Sequence, residues 1–367
     1  MKIVTIIGAR PQFIKAAAIS RVIRNKYSNI LDEIIVHTGQ HFDENMSKIF
    51  FDELDIPSPN YNLQISGGHH GEMTGRMLQA IEAVLLTEKP DLVLLYGDTN
   101  STLAGALAGS KLTIPVAHVE AGLRSYNMHM PEEINRVLTD HVSTLLFCPT
   151  ETAVKNLTKE GISANVFNVG DVMFDISLHY REIAKNRGQL LVALGVTENT
   201  YVLATCHRAE NTDDRDRLKS ILEALNKISK ASRVVFPLHP RTRKLVEEYG
   251  FGHLLENLKI IEPVSFLDMV ALQLGSRMIL TDSGGVQKEA YFYAKPCLTL
   301  RDETEWVETV SLGWNKLVGA STQAIVEAFE EFTTQAVFNV SVSPYGDGRA
   351  GEKVVEKILE QSWRVGS

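Results

Sequence analysis

The feature that most limits the possible folds is an alternation of short apolar, β-rich runs with segments of helical spacing. In a first series, strands are predicted at 2–7, 33–37, 91–96, 115–119, 144–147 and 166–169. The predicted helices between them cover 13–25, 43–54, 71–87, 101–112, 132–142 and 151–160. Strands separated by helices favour a parallel sheet that is covered on both faces.

A second series follows, which predicts a second domain of the same class. Its strands are predicted at 201–205, 233–237, 258–261, 277–281 and 297–300, again with helices between them. A chain of 367 residues is too long for one ordinary core. We therefore predict an α/β protein with two Rossmann-like domains, over 1–170 and 171–350, with a linker near 170–175. The helical segment 351–365 could pack on either domain.

Composition and charge exclude several classes of protein. The chain is 44% apolar and 22% charged, and no apolar run reaches the roughly 18 residues that span a bilayer. Its first residues resemble a strand and a polar loop more than a signal peptide. A net charge of −8 argues against a nucleic-acid partner. Cys148, Cys206 and Cys297 lie far apart in apolar contexts, which predicts buried free thiols in a cytoplasmic protein.

A glycine-rich junction follows the predicted strand at 277–281. Ser283, Gly284 and Gly285 lead into a helical segment, so their bare amides and the helix dipole can attract an anion. Glu289 lies one turn beyond Gly285, where it could accept hydrogen bonds from a ribose. The junction suggests a site for a nucleotide diphosphate, with a glycine-rich helix cap that binds nothing as the alternative.

Polar loops also follow other predicted strands in both halves. They lie at 8–12, 97–101, 118–124, 206–211 and 238–241. Ligands of open parallel sheets bind beyond the carboxyl ends of the strands. Six such loops, counting the glycine-rich junction, predict one cleft between the two domains.

Three carboxylates of the first half are candidates for acid/base chemistry. Asp98 and Glu120 end predicted strands, and Glu132 follows Pro131 at a helix start. Carboxylates that share a cleft with an anion raise each other's proton affinity, although helix capping is the ordinary role at such positions.

Basic residues near the same strand ends are candidates for phosphate binding. Arg10 precedes Pro11 in a helical first turn, with a salt bridge to the other domain as its alternative role. Lys15 adds charge there or solvates the helix. In the second half, His207 with Arg208 suits phosphate binding or proton transfer, and His239 ends the next strand. His69 and His70 lack a second pair of ligands, so no metal site is predicted there.

Six ordered blocks resemble one family along essentially the full length of the chain. The blocks are 8–15, 97–101, 118–124, 131–136, 207–211 and 281–290. They are similar to those of the non-hydrolysing UDP-N-acetylglucosamine 2-epimerases. The resemblance implies a GT-B fold, with the last helix (351–367) joining the first domain. It also implies a homodimer, a UDP-sugar substrate, no metal or redox cofactor, and a role in surface polysaccharide (lipopolysaccharide) biosynthesis.

The resemblance further implies a mechanism and residue roles. UDP leaves carbon 1 as a base removes the proton at carbon 2, which gives a 2-acetamidoglucal, and UDP then adds back. Asp98, Glu120 and Glu132 would be the acid/base carboxylates, and His207 would contact the leaving diphosphate. The binding residues would be Arg10, Lys15, Arg136, Arg208, His239, Ser283, Gly284, Gly285 and Glu289.

The resemblance also bears on which sugar is bound. The segments 9–13, 287–290 and 301–308, with Trp306-Val307, are most similar to the branch that acts on UDP-2,3-diacetamido-2,3-dideoxyglucuronate. UDP-N-acetylglucosamine, converted to UDP-N-acetylmannosamine, is the alternative, with Trp306 merely packing. A uronate needs one more cation, for which Arg76, Arg124 and Lys288 are candidates. Phe42-Asp43 and the short segment between Arg124 and Pro131 predict little activation by UDP-N-acetylglucosamine.

Two other functions remain possible at this stage. A GT-B glycosyltransferase would share the nucleotide site but would not need the three carboxylates together. A non-catalytic UDP-sugar sensor would bind its ligand without turnover.

Overall fold

The computed structural model describes residues 1–40, 58–334 and 343–361, apart from the side chains of Arg10 and Asn186. The chain divides into two compact units. Unit 1 holds Met1–Ile176 and the C-terminal segment that begins at Ser343, and unit 2 holds Ser177–Val342. The boundary between the units lies after Ile176, within the helix Val172–Ala184 and directly beyond the segment 170–175 near which we predicted a linker. This helix starts early because the Asp171 carboxylate accepts a hydrogen bond from the Met173 amide at 2.7 Å.

Unit 1 is built on a parallel sheet of seven strands in the order β3-β2-β1-β4-β5-β6-β7. The strands are β1 (Lys2–Ile7), β2 (Asp32–His37), β3 (Tyr61–Asn62), β4 (Leu92–Tyr96), β5 (Val116–Val119), β6 (Leu145–Cys148) and β7 (Val166–Asn168). The helices are α1 (Arg10–Val22), α2 (His70–Glu88), α3 (Asn100–Lys111), α4 (Pro131–Val142), α5 (Glu151–Lys159) and α6 (Val172–Ala184). A π-helical turn, Ile23–Tyr27, extends α1. The helix predicted at 43–54 lies outside the described residues.

Unit 2 has a parallel sheet of six strands in the order β10-β9-β8-β11-β12-β13. The strands are β8 (Tyr201–Thr205), β9 (Arg233–Pro237), β10 (Lys259–Ile261), β11 (Met278–Thr281), β12 (Cys297–Thr299) and β13 (Asn315–Leu317). The helices are α7 (Gly188–Leu194), α8 (Ala209–Thr212), α9 (Arg215–Ile228), α10 (Pro240–Glu248), α11 (Phe266–Gly275), α12 (Gly284–Phe292), α13 (Val307–Ser311) and α14 (Thr322–Thr334). The predicted α/β class with two parallel sheets is confirmed.

The strand order of each sheet fixes where a ligand can bind. The central strands are apolar and almost completely buried, as expected for parallel strands that are covered on both faces. The order reverses between β1 and β4 in unit 1, and between β8 and β11 in unit 2. The loops after these strands diverge to opposite faces and leave a crevice at the carboxyl edge.

The C-terminal helix α15 (Ala350–Glu360) belongs to unit 1 and packs against α1. The Asp175 carboxylate accepts hydrogen bonds from the amides of Ala350 (3.0 Å) and Gly351 (2.8 Å). At Gly351 a Cβ would lie 3.3 Å from the Ala18 carbonyl oxygen, so glycine permits the close packing.

Two further sequence predictions concern thiols and membranes. Cys148, Cys206 and Cys297 are buried and unbridged, as predicted. Across the described part of the chain, no helix combines the length and the apolar character needed to cross a bilayer.

Candidate active site

In unit 1, Gln12 joins the loops that follow β1 and β4. Its side-chain oxygen accepts hydrogen bonds from the amides of Gly8 (2.8 Å) and Ala9 (3.0 Å). Its amide nitrogen donates to the Tyr96 carbonyl and the Thr102 hydroxyl, both at 2.8 Å. The first turn of α1 is therefore fixed to the end of β4 by one buried side chain.

Glu120 directly follows β5 in a strained conformation, and its carboxylate is paired with Lys15. Both residues are buried, and the Lys15 ammonium donates to Glu120 Oε2. The φ angle of Glu120 is +75°, which costs a residue with a Cβ about 1–3 kcal/mol and is characteristic of functional sites. Gly97, at the end of β4, makes room for the pair, since a Cβ there would lie 2.9 Å from Lys15 Nζ.

Asp98 follows β4 and is paired with Arg136 of α4. Arg136 donates to Asp98 Oδ2 at 2.6 Å and to Glu133 Oε2 at 2.8 Å. Burial would raise the pKa of the Glu133 carboxyl, but the amides of Ser125 and Tyr126 and the Arg136 guanidinium lower it below its usual value. Arg136 is therefore held by an ionised partner as it reaches Asp98.

Glu132 differs from the other two candidate carboxylates. It lies in the first turn of α4 and is exposed, and no ion pair involves it within the described ranges. On the same helix, Asn135 donates to the Asp98 carbonyl oxygen at 2.9 Å. The helix that carries Glu132 is thus tied to the turn that carries Asp98.

In unit 2 one buried carboxylate organises the loops at the carboxyl edge. Asp282 follows β11, and its Oδ2 atom accepts hydrogen bonds from the amides of His207 and Arg208, both at 2.9 Å. Its Oδ1 atom lies 3.4 Å from His207 Nδ1. No role was predicted for Asp282 from the sequence, although its position between a predicted strand and Ser-Gly-Gly was a signal for one.

The junction predicted to bind a diphosphate forms the start of α12. Ser283 is the residue that precedes the helix, and Gly284 and Gly285 are its first two residues. A Cβ at Gly284 would lie 2.6 Å from Glu305 Oε1, whereas one at Gly285 would meet only Ser283 Oγ, at 4.0 Å. Gly284 is needed for packing, whereas the Gly285 backbone is open to a ligand.

The remaining predicted residues of unit 2 surround these loops. His207 keeps 42% of its side-chain surface exposed, and its ring centroid lies 5.7 Å from that of His239. His239 Nδ1 accepts a hydrogen bond from the Arg241 amide at 3.2 Å and caps α10. Glu289 is buried and accepts a hydrogen bond from Gln273 Nε2 at 2.6 Å.

The three cations considered for a substrate carboxylate have different surroundings. Arg124 donates to Asp140 and to both oxygens of Glu160, each at 2.7 Å, so existing partners occupy it. Arg76 is exposed and donates to the carbonyl oxygens of Ser66 and Gly67. Lys288 is buried, with its ammonium 3.7 Å from the centroid of the Trp306 ring.

Unit 1 therefore brings Lys15, Asp98, Glu120, Glu132 and Arg136 to one edge of its sheet. Unit 2 brings Arg208, His207, His239 and the 283–285 junction to the equivalent edge of its own sheet. The Arg10 side chain and Phe42-Asp43 lie outside the described residues. Among the residues that the structure describes, no group of three or more His, Cys, Asp or Glu could hold a metal ion.

The chain is similar to UDP-sugar 2-epimerases over almost its full length. The family model for UDP-N-acetylglucosamine 2-epimerase matches residues 24–359. A UDP-N-acetylglucosamine 2-epimerase homolog of Methanococcus maripaludis is 55% identical over 98% of this chain and 99% of its own length. The UDP-2,3-diacetamido-2,3-dideoxy-D-glucuronate 2-epimerase of Pseudomonas aeruginosa is also 55% identical, over 98% of this chain and 100% of its own.

A solved structure extends the comparison to the fold. The Methanocaldococcus jannaschii UDP-GlcNAc 2-epimerase, in complex with UDP-GlcNAc and UDP, is 46% identical with a TM-score of 0.90. The match covers 98% of this chain and 100% of that one, and the GT-B fold class predicted from the sequence is confirmed. The chain belongs to the UDP-N-acetylglucosamine 2-epimerase family, whose members are UDP-sugar 2-epimerases and therefore isomerases.

Proposed function

We propose that this chain is a non-hydrolysing 2-epimerase that inverts carbon 2 of a UDP-2-acetamido sugar. The carboxylate set of unit 1 carries the proposal. Asp98 and Glu120 follow the adjacent strands β4 and β5, and Glu132 lies on the helix that is tied to Asp98. Inversion needs one group that takes the proton from one face and another that returns a proton to the opposite face.

The proposed reaction proceeds by elimination and re-addition. One carboxylate takes the proton of carbon 2, the C–H electron pair forms the C1=C2 double bond, and the C1–O bond breaks as UDP leaves with its electron pair. Carbon 2 of the resulting 2-acetamidoglucal then receives a proton on its opposite face, and a UDP oxygen bonds to carbon 1 again. Lys15 favours the ionised form of Glu120, which is the form that can accept a proton.

UDP binding is proposed for unit 2. The free amides at the start of α12 and the half-exposed His207 suit the charge that builds on the departing diphosphate. Arg208, His239 and Glu289 are proposed as further contacts from unit 2, with Glu289 at the ribose, and Arg10 is proposed as a contact from unit 1. The M. jannaschii relative, whose structure holds UDP-GlcNAc and UDP, supports this type of ligand.

Exchange with deuterated water tests the reaction. A purified enzyme given a UDP-2-acetamido sugar and no acceptor should introduce solvent deuterium at carbon 2 and produce the 2-epimer. Transfer of the sugar only when an acceptor is added would identify a glycosyltransferase. Binding of UDP-sugars without exchange or turnover would identify a sensor. Either result would refute the epimerase.

We propose UDP-2,3-diacetamido-2,3-dideoxyglucuronate as the substrate. Two observations support this substrate. The buried Lys288 stacks on Trp306, and both residues lie in the segments from which the diacetamido-glucuronate branch was predicted. The P. aeruginosa relative is a UDP-2,3-diacetamido-2,3-dideoxy-D-glucuronate 2-epimerase. UDP-N-acetylglucosamine is the second candidate, which the M. jannaschii structure favours. A substrate panel with products resolved by NMR decides, because the physiological substrate should have the higher kcat/KM. Homodimer assembly, a cytoplasmic location, the polysaccharide pathway and weak activation by UDP-N-acetylglucosamine stay predictions.

A further inference from the structure

The ring of His118 is buried between two hydrogen-bond acceptors in unit 1. His118 lies on β5 and is 0% exposed. Its Nε2 atom lies 2.7 Å from the Gly97 carbonyl oxygen, and its Nδ1 atom lies 2.7 Å from Asp140 Oδ1. A carbonyl oxygen can only accept, so Nε2 must carry a hydrogen.

The second ring nitrogen also carries a hydrogen, because Asp140 is ionised. Its Oδ2 atom accepts hydrogen bonds from the Gly122 amide at 3.0 Å and from the Arg124 guanidinium at 2.7 Å. Burial would raise the pKa of the Asp140 carboxyl, but the adjacent Arg124 guanidinium, which is always charged, acts to lower it and favours the ionised form. An ionised carboxylate only accepts, so His118 donates from both nitrogens as an imidazolium.

The charges around this imidazolium are balanced. His118 and Arg124 face Asp140, and Arg124 also binds Glu160. Two cations and two carboxylates therefore share the cluster. A neutral His118 would leave either the Gly97 carbonyl oxygen or the Oδ1 atom of Asp140 without the hydrogen bond from His118, in a part of the unit that water does not reach.

The cluster reaches the segments that carry all three candidate carboxylates. The Gly97 carbonyl precedes Asp98, the Gly122 amide follows Glu120 by two residues, and Asp140 lies two turns from Glu132 on α4. Gly97 also lies against the Lys15–Glu120 pair. A displacement of His118 would therefore be transmitted to Asp98 and Glu120 together.

We propose that His118, held as an imidazolium by Asp140, is a positioning residue that fixes the Gly97 carbonyl and so aligns Asp98 and Glu120 for proton transfer. The inference rests on the proposed function for the roles of those two carboxylates. A misplacement of about 1 Å can cost about 10²-fold in rate. We expect a fall in kcat of this size when an uncharged side chain replaces the His118 imidazolium as the donor to the Gly97 carbonyl oxygen.

NMR with ¹⁵N-labelled histidine tests the charge state directly in the intact protein. At neutral pH, both ring nitrogens of His118 should appear as N–H donors. Its signals are assigned by their loss in His118→Gln, or by their shift in Asp140→Asn if the first variant does not fold. A single protonated ring nitrogen would overturn the imidazolium.

Kinetics test the positioning role. In His118→Gln, kcat should fall about 10²-fold, while KM and the Kd for UDP change less than about threefold. His37→Gln is the matched control, because His37 is equally buried in unit 1 but makes no bridge to Gly97. It should lose stability with little loss of kcat. If His118→Gln lost no more kcat than His37→Gln at the same fraction folded, the role would be refuted.

The outcomes distinguish this inference from the proposed function. If the wild-type protein exchanges the carbon 2 proton and His118→Gln does so equally well, positioning fails and the epimerase stands. If the wild-type protein shows no exchange with any UDP-2-acetamido sugar, the epimerase fails, and the NMR experiment still tests the imidazolium. Should His118→Gln not fold, Asp140→Asn must show the same loss of kcat with unchanged UDP affinity.

Discussion

The two candidate sites lie at equivalent edges of two parallel sheets but are built from different groups. In unit 1 the site consists of side-chain charges that are already paired, such as Lys15 with Glu120 and Arg136 with Asp98. In unit 2 it consists mainly of main-chain amides at the start of α12, beside a loop whose His207 and Arg208 amides are bound by the buried Asp282. Side-chain charges can accept and return protons, whereas fixed amides can only stabilise an anion. The difference suggests a division of labour, with proton transfer in unit 1 and diphosphate binding in unit 2.

The largest expected effect comes from removing the carboxylate of Glu120. Glu120→Gln should lower kcat by about 10²–10⁴-fold, the range of general acid–base catalysis. It should also destabilise unit 1 by about 3 kcal/mol, because buried Lys15 loses its ionised partner. The Kd for UDP, measured by calorimetry, should stay unchanged, because UDP is assigned to unit 2. Weakened UDP binding would contradict the division.

A matched control is available in the same unit. Lys2 and Glu88 form a lysine–glutamate pair at 3.0 Å that is partly exposed. Glu88→Gln should change the free energy of unfolding far less than Glu120→Gln does and leave kcat unaltered.

The second prediction concerns the acid stability of unit 1. Burial lowers the pKa of His37 to about 4, well below its usual value. Between pH 4 and about pH 6.5, His37 is protonated in the unfolded chain but not in the folded one. The unfolded state therefore binds more protons, and the free energy of unfolding decreases as the pH falls through this range. The decrease in the free energy of unfolding that His37 causes should reach about 3 kcal/mol, and it should be absent in His37→Gln. Denaturant titrations of both proteins across this pH range measure it.

A second titratable group of unit 1, Asp175, has the opposite effect on the pH dependence of stability. Burial raises the pKa of Asp175 to about 6, so the folded state binds more protons than the unfolded one, and stability falls as pH rises toward that value. With His37 replaced, unit 1 should therefore become more stable on mild acidification. Hydrogen exchange in β2, compared with β8 of unit 2, localises the effect, and equal changes in both strands would contradict it.

The third prediction separates packing from ligand approach in unit 2. Gly284→Ala places a Cβ 2.6 Å from Glu305 Oε1 and should lower both stability and UDP affinity. Gly285→Ala meets no close neighbour and should keep or slightly raise stability, because alanine favours a helix by about 0.5–1 kcal/mol. Gly285→Ala should nevertheless weaken UDP binding about tenfold, because its methyl group faces the diphosphate. Unchanged UDP affinity in Gly285→Ala would show that the diphosphate does not bind at the first turn of α12.

Local patterns were sufficient to predict most of the fold and the glycine-rich junction. The first and last residues of β1, β8 and β9 were predicted correctly from their apolar runs. The continuous apolar sequence of a buried parallel strand differs clearly from the periodic pattern of the neighbouring helices. The strands β3 and β13 were missed because they are short and partly polar, with the sequences Tyr-Asn and Asn-Lys-Leu, and so form no apolar run.

The pairings within the site could not be predicted in the same way. Lys15 and Glu120 are 105 positions apart, and Gln12 lies 84 positions from the Tyr96 carbonyl that it binds. Their meeting depends on β1, β4 and β5 lying side by side, which no local pattern specifies. His118 and Asp140 were likewise not predicted as partners, because the loop 120–130 and the first two turns of α4 separate them along the chain.

The smallest expected effect concerns the cation of unit 2 that stacks on an aromatic ring. Lys288→Met keeps the length of the side chain but removes the cation–π contact with Trp306, at a cost of about 1–2 kcal/mol. Lys316→Met is the control, because Lys316 is an exposed lysine of the same unit, paired with Glu331, and should change stability by less than about 0.5 kcal/mol. If the stacked pair selects the sugar, Lys288→Met should also lower the ratio of kcat/KM for the diacetamido-glucuronate to that for UDP-N-acetylglucosamine. A lower stability with an unchanged ratio of kcat/KM values would show that Lys288 and Trp306 serve packing alone. Unit 2 would then bind UDP without discriminating between the two sugars through this pair.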